Sequence, residues 1–591
     1  MVLICSRSSF PSGPGAIRSR QKSKNLYIQG TILAAAGIIT KLMGFAYRIP
    51  MTNMLGSDGN GVYSIAFEIY NIVLMLSSYS LPLAVSKLVS ARLALKQYNN
   101  SYRVFKDAMV FAFIASSIGA MFLFFGADFL AVMYSTPELT RPLKVLAPTV
   151  FVVAIVGVLR GYFQGASTMI PTALSQIVEQ IFNAVISIWG VWFCMNRLAG
   201  SALKDAAAGF VGVDAAGGVA KSICSGYEVQ SASFGAAGGT LGTLFGAVFA
   251  LVFLVYTFCI YRPSIHRRNR KDVFGVTESH SDVIRLLVAT VVPVIISQTI
   301  YQIGYVIDDL IFSRIMYMKG MENSVRKSLQ GVFNSQYTLL INVPIAMATA
   351  MAASTIPSIV TSYTMGRRRE VNKKIGGVIK FVMAISFPSA IGLAVLASPI
   401  MDVLFPRLGE YNQVGANLLH YGSIAIVFYS LSTITSSVLQ GLDHMKVPVR
   451  NSGISLVIHL IMMVVLLYFT DLNVYILLIG DVTFPMLISM LNWYCVKKYV
   501  GYRQEVGKTF VIPLVASCVM GIAAWGTYEG VTIFGKGRMI EVIGLIAAVI
   551  VAVAVYGILI LAMHCFEKDE LYDLPMGGRL VTLGRKFGFY S

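Results

Sequence analysis

Apolar runs long enough to cross a bilayer recur along this 591-residue chain, and they constrain its fold more than any motif does. A bilayer's hydrocarbon core calls for about 20 consecutive, mostly apolar residues in a helix. Fourteen runs fit: 26–49, 61–92, 104–126, 142–165, 171–196, 234–261, 282–313, 331–362, 374–398, 413–440, 447–470, 473–496, 509–532 and 539–565. Inside hydrocarbon the backbone has no water to bond, so each run must satisfy its own N–H and C=O groups, as a helix does. Composition agrees: 56% of the residues are hydrophobic and 13% charged, about half the charged share of a soluble domain. The expected fold is an all-α, polytopic membrane protein with about 14 transmembrane helices.

The net charge of +19 raises the question of a nucleic-acid partner. With these spans, alternate loops hold 29 and 11 of the Lys and Arg residues. The richer side includes the N-terminal tail, "RRNRK" (267–271), "RRREVNKK" (367–374) and the C-terminal tail. The positive-inside rule then puts both termini in the cytoplasm of a multi-pass cell-membrane protein and accounts for most of the basic excess. No nucleic acid is expected. The seven cysteines stand without CxxC or Cys/His ligand spacing, and the six histidines are dispersed. No metal and no cofactor are therefore expected.

With the span-edge residues Arg92, Lys106, Lys374 and Arg450 counted among the loops, seven basic residues remain within spans: Lys41, Arg48, Lys87, Lys144, Arg160, Arg285 and Lys380. Lys144, Arg285 and Lys380 are near span ends and can snorkel. Lys41, Arg48, Lys87 and Arg160 all belong to the first five spans. A cation at the centre of a lipid-facing helix costs roughly 2.5–3.5 kcal/mol. Two readings remain open: snorkelling or pairing with Glu68 or Glu179, and a cationic cavity for an anionic ligand. In span five, Gln176, Glu179, Gln180 and Asn183 recur at i, i+3, i+4, i+7 and share a face. They suit interhelical hydrogen bonding, sugar recognition or a gate. Gln298, Gln302 and Asp309 lie near one face of span seven, with Asp308 adjacent, and Asp481 follows "YILLIG" in span twelve. Asp308, Asp309 and Asp481 can bind Na⁺ or relay a proton; the first two also suit the outer interfacial layer.

An ordered internal repeat gives the architecture. "SYSLPLAVSKLVS" (78–90) resembles "LINVPIAMATAMA" (340–352). "ADFLAVMY" (127–134) resembles "SPIMDVLF" (398–405). "LRGYFQGASTMIP" (159–171) resembles "TSSVLQGLDHMKVP" (435–448), matching Gln164-Gly165 to Gln440-Gly441 at a candidate inner gate. The offset of six spans implies parallel repeats: two pseudo-symmetric six-helix lobes around a central cavity, plus two C-terminal helices. The expected organisation is a disordered cytoplasmic tail (1–25), an N-lobe (26–262) with an external Gly/Ala-rich loop (198–233), and a basic linker (263–281). A C-lobe (282–498), two further helices (499–566) and a cytoplasmic tail (567–591) follow. Gly235, Gly239, Gly242 and Gly246 fall near one helical face and permit close helix packing.

"KLMGFAYRIPMTNMLGSDGNGVYSIAFEIYNI" (41–72), "YFQGASTMIPTALSQIVEQIFN" (162–183) and "LINVPIAMATAMAASTIPSIV" (340–360) resemble the SpoVB/MurJ-type flippases. These belong to the multidrug/oligosaccharidyl-lipid/polysaccharide exporter superfamily, and the resemblance is to the Gram-positive bacterial branch. It implies a fourteen-helix, two-lobed fold, with partners that are membrane lipids, a lipid-linked oligosaccharide and the cell-wall synthesis machinery. It also implies a chain that works as a monomer and moves lipid II, the undecaprenyl-pyrophosphate-linked precursor, to the outer leaflet. Lys41 matches a cavity cation of the family's first helix, and Arg48 falls within one residue of the next. The arginine that Gram-negative members carry in mid-helix two is replaced by Leu74 and Met75; Lys87 lies further along.

Other classes stay in view. A teichoic or capsular lipid intermediate would suit the same cavity. A MATE-like drug exporter shares the fold but needs acidic cavity residues for cationic drugs. An enzyme acting on polyprenyl phosphates needs a catalytic constellation, and no triad, paired-carboxylate or Walker pattern stands out, so the chain is read as a transporter rather than an enzyme. Without a nucleotide site, the membrane potential, about 2.3 kcal/mol per charge per 100 mV, is the preferred driving force for an anionic cargo. Coupling to Na⁺ or H⁺ at the aspartates is the alternative.

Overall fold

A computed structural model describes residues 14–79, 81–166, 168–199, 216–270, 272, 278–407, 409–442, 444, 446–502, 504–535 and 537–566. Its secondary structure is helical, with no strand among the described residues. The first helix, α1 (Pro14–Leu74), has two limbs that meet at Gly56, where φ is 70° and ψ −176°. Only glycine adopts that conformation without steric cost, and "LGSDGNG" supplies it. Asn60 braces the bend, donating from Nδ2 to the carbonyls of Thr52 (2.8 Å) and Gly56. The second limb continues through a π-helical turn (Met75–Tyr79) into α2 (Leu81–Ala94).

The rest of the N-lobe comprises α3 (Tyr98–Phe125), α4 (Ala127–Met133), α5 (Thr140–Gly165), α6 (Ile170–Phe193) and α7 (Ala216–Asn269). The glycine face expected on α7 is a packing face. Gly238 meets Gly190 of α6 backbone to backbone, and a Cβ on Gly242 or Gly246 would press on the carbonyls of Asn183 or Glu179. Gly157, Gly161 and Gly165 of α5 pack in the same way on Pro82, Val85, Ser86 and Val89 of α2. Gly165 therefore faces its own lobe. Two expected boundaries differ. Helix α1 starts at Pro14, inside the segment read as a tail. Helix α7 starts at Ala216, inside the segment read as a loop to 233, where alanine favours helix and Ala232 and Ala236 enter the N-lobe core.

Next comes α8 (His280–Met318), which straddles the lobes. Its start packs into the N-lobe through Val283, Leu287 and Val291, and its end enters the C-lobe core through Phe312 and Met316. The sequence boundary at 282 thus falls at the head of a shared helix. The C-lobe then contains α9 (Asn323–Gly331), a π-helical segment (Val332–Tyr337), α10 (Thr338–Thr364), α11 (Arg368–Val395) and α12 (Ala397–Leu404). It closes with α13 (Tyr411–Gly422), α14 (Ala425–Gly441), α15 (Lys446–Phe469) and α16 (Tyr475–Val500). The last pair, α17 (Ile512–Thr532) and α18 (Arg538–Ala562), packs together, with α17 against α11.

Ten helices among the described residues are long and apolar enough to cross a membrane, or eleven if α13 and α14, bent by 48°, form one crossing. Many large apolar side chains on their outer faces are exposed, such as Ile118, Phe125, Ile522 and Val553, as a hydrocarbon solvent requires.

Candidate functional site

Three groups of polar side chains occupy the region where the lobes meet. The first is on the N-lobe. Arg48 of α1 is half-buried, with its guanidinium carbon 5.3 Å from the centre of the Phe67 ring and the Tyr47 and Tyr63 hydroxyls beside it. Asn183 of α6 donates to the Tyr47 hydroxyl at 3.3 Å, and a Cβ on Gly44 would lie 4.0 Å from Gln180 Oε1. The face of α1 carrying Arg48 therefore meets the polar stripe of α6. Arg160 of α5 reaches the same stripe, donating to Glu179 at 2.7 Å and to Ser175 at 2.9 Å. Lys41, two turns before Arg48, is exposed. Gln164 is half-buried at the end of α5, and the Oε1 atoms of Gln176 and Gln180 are buried without a hydrogen-bond partner. Lys87 is exposed on α2 and makes no hydrogen bond or ion pair among the described residues, so it is not drawn into this group. The side chains of Gln298 and Gln302 lie outside the described residues.

The second group is a cavity between the lobes lined by four carboxylates and a histidine. Glu68 comes from the second limb of α1, Asp308 and Asp309 from α8, His459 from α15 and Asp481 from α16. Its free volume is about 20 Å3, counted at the centre of a water-sized particle, which suffices for one water molecule. His459 Nε2 lies 2.8 Å from both Asp308 oxygens. Asp309, 2% exposed, accepts from Asn334 at 2.7 Å, and its carboxyl lies against that of Glu68. Asp481 accepts from the Tyr337 and Tyr429 hydroxyls at 2.8 and 2.7 Å, and Tyr305 donates to Tyr429 at 2.6 Å.

Asp308 and Asp309 thus line the cavity, because α8 carries them inward against α15 and the π-helical segment. Glu68, a possible partner for a cation in the sequence, faces other carboxylates instead. No group of three His, Cys, Asp or Glu side chains adopts a metal-holding arrangement among the described residues. Asp308, Asp309 and Asp481 accept from imidazole, amide and hydroxyl donors, whereas Glu68 Oε2 is buried without a hydrogen-bond partner.

The third group was not singled out in the sequence. Arg326 and Lys327 of α9 are 0% and 2% exposed. Lys327 Nζ lies 2.9 Å from Glu138 and 3.2 Å from Asp58, both in the N-lobe. Arg326 donates to the Ser135 carbonyl (2.7 Å), the Thr136 hydroxyl (3.2 Å) and the Ser313 carbonyl (2.8 Å). Around them, Ser328 meets Ser57 at 3.1 Å, Arg314 meets Ser135 at 3.0 Å, and Asn53 donates to the Leu404 carbonyl at 2.7 Å. A Cβ on Gly61 would land on the Lys327 carbonyl, so the backbones of α1 and α9 touch here. The group forms a polar latch between the lobes at the end marked by the Gly56 bend. The only sequence signal is the pair of cations in "NSVRKSLQG", a helix too polar to face lipid. At the other end, Arg92 and Asp107 anchor the approach to α8, binding Glu278 at 2.6 Å and His280 at 2.7 Å.

Known proteins resemble this chain along nearly its whole length. Residues 28–222 match the polysaccharide biosynthesis protein family. The chain is 24% identical to the lipid II flippase MurJ of Bacillus subtilis, over 95% of this chain and 98% of that protein. It is 23% identical to stage V sporulation protein B of the same organism, over 95% and 99%. Among solved structures, the inward closed conformation of lipid II flippase MurJ aligns with a TM-score of 0.59 at 13% identity, covering 89% of this chain and 98% of that one. An inward-facing MATE-family multidrug resistance transporter aligns with a TM-score of 0.61 at 15% identity, covering 78% and 94%. The chain is thus similar over nearly its whole length to the MurJ and stage V sporulation B proteins of Bacillus subtilis, and it shares its fold with solved MurJ and MATE-family transporters.

Proposed function

We propose that this protein is a flippase that moves an undecaprenyl-pyrophosphate-linked cell-wall precursor, lipid II, from the cytoplasmic to the outer leaflet by alternating access. The observation that carries this reading is the nearly end-to-end similarity to the two Bacillus subtilis proteins. Lys41, Arg48 and Arg160 supply the chemistry on the N-lobe. A pyrophosphate cannot cross hydrocarbon without replacement for its hydration. Arginine forks offer charge-assisted, two-point hydrogen bonds to phosphate oxygens, and lysine a point charge. Arg160 would trade Glu179 for the pyrophosphate as cargo enters. The neighbouring amides of Gln176, Gln180 and Asn183 suit sugar and peptide groups.

With fourteen crossings and both termini cytoplasmic, the latch around Lys327 lies at the outer end. The cycle then alternates between a latched state open to the cytoplasm and an unlatched state open outward, with the lobes rocking about α8, which belongs to both. One chain contains both lobes and the cavity, which supports action as a monomer. The membrane potential drives the anionic cargo outward. The Glu68–Asp309 and Asp308–His459 pairs support an added role for a proton, because rocking would separate α1 from α8 and change which groups share it.

Restoration of lipid II translocation in cells depleted of their own flippase tests this reading. Rescue that fails with Arg48→Ala supports it. Rescue confined to a teichoic or capsular intermediate would change the cargo. A second reading, a MATE-like cation-coupled exporter, is favoured by the carboxylate cavity and the MATE likeness of the fold. It predicts drug resistance that depends on Asp308 and survives loss of Arg48.

A further inference from the structure

A second, larger cavity lies within the N-lobe, at the end opposite the latch. It opens among the start of α3 and the ends of α2, α5 and α7, and its free volume is about 70 Å3 by the same measure. Tyr98, Tyr162 and Tyr261 form its aromatic walls, and Ser101, Thr168 and Arg268 its polar ones. Neither the cargo path nor the latch uses these residues.

The cavity has the chemistry of an anion site. Ser101 is 1% exposed, yet its hydroxyl has no hydrogen-bond partner. A buried hydroxyl with no protein partner, on a residue that lines a cavity, is open to a bond from a ligand. Arg268 is exposed, stands beside the Tyr162 hydroxyl, and makes no hydrogen bond or ion pair among the described residues. The positive end of a 28-residue helix, α3, adjoins them, and its N-cap residue Gln97 contributes no side-chain bond. Asp272 takes one N–H there, that of Asn99, at 2.6 Å. The other nearby carboxylates are engaged: Glu278 by Arg92 and Asp107 by His280. Arg262, Arg267 and Arg270 on the same helix end add positive potential. Tyrosine walls with an arginine rim suit a membrane–water boundary, where amphipathic rings settle at head-group depth.

We propose that this cavity binds a phosphoryl group, the head group of a membrane phospholipid, between Arg268, Ser101 and the first turn of α3. The purified full-length protein is titrated with phosphatidylglycerol, with a diacylglycerol of the same chains, or with inorganic phosphate, and thermal stability is followed. Phosphatidylglycerol should stabilise saturably and the diacylglycerol should not. Arg268→Gln should weaken half-saturation by about tenfold, the scale of one charge-assisted contact, and Ser101→Ala should weaken it less. Arg267→Gln, which removes the same charge outside the cavity lining, is the control and should shift half-saturation far less than Arg268→Gln. Arg268 is exposed, so its substitution does not threaten the fold. Equal stabilisation by the diacylglycerol, or unchanged half-saturation in Arg268→Gln, overturns the proposal. An Arg268-dependent response to inorganic phosphate alone, with none to the lipid, overturns the lipid source and assigns a soluble phosphate.

Discussion

Replacing Lys327 with Met should unlatch the lobes. The methionine keeps much of the apolar stem and removes the charge. In the latched state the ammonium serves two N-lobe carboxylates, Glu138 at 2.9 Å and Asp58 at 3.2 Å, whose side chains are 8% and 22% exposed. Removing one partner of a buried ion pair costs about 3–5 kcal/mol, because the remaining charge is stranded. Asp58 keeps some water, so screening lowers its share, and about 2–3 kcal/mol is reasonable for the pair. The cost falls on the latched state alone, since parted lobes return the carboxylates to water. At about 1.4 kcal/mol per factor of ten, the ratio of unlatched to latched molecules should rise roughly 30- to 140-fold. Spin labels at exposed Val132 and Ser324 report this as growth of a longer distance population. Adding Glu138→Gln should restore part of the short population, because one stranded charge is gone. An unchanged distance distribution in Lys327→Met would refute the latch as an energetic element.

Three further outcomes follow. Gly61→Ala drives a Cβ into the Lys327 carbonyl and should shift the same label pair outward by about 1–3 kcal/mol of overpacking; a wild-type distribution would mean the backbones do not touch. Arg48→Ala should cut lipid translocation at least about tenfold, the loss of one good charge-assisted contact. Arg160→Ala/Glu179→Gln should do the same without stranding Glu179, with Arg160→Lys intermediate; wild-type transport by these variants, at normal expression, would remove the cations from cargo binding. His459→Gln can hydrogen-bond Asp308 but cannot carry a proton, so translocation should lose any acceleration by an imposed proton gradient; acceleration equal to wild type would exclude the pair from coupling.

The membrane class, the two-lobe repeat and the glycine packing face were legible because they rest on local composition and period. A bend at "LGSDGNG" is legible for the same reason, since three glycines and an aspartate crowd a gap between apolar runs. The latch was not. Lys327 and Arg326 look like ordinary loop charges, because their partners Asp58, Ser135 and Glu138 lie about 190 to 270 positions away, and a local pattern cannot encode such meetings. His459 was passed over as one of six scattered histidines; only the crossing of α8 with α15 puts it on Asp308. The stretch 216–233 reads as a flexible loop from its glycines, yet its alanines favour helix and Ala232 finds a core to enter. Arg160 was legible as a buried cation and Glu179 as a possible mate, and the two do meet.

The central claim is that this chain carries a lipid-linked anion across the membrane unchanged, and reconstitution tests it most directly. Purified protein in liposomes receives lipid II on one leaflet, and an impermeant reagent samples the other leaflet over time with the potential set by ionophores. The account predicts intact lipid II arriving at the far leaflet, faster when that side is positive, and much slower with Arg48→Ala/Arg160→Ala. A covalently altered product, or arrival at the same rate with the double variant, would contradict it.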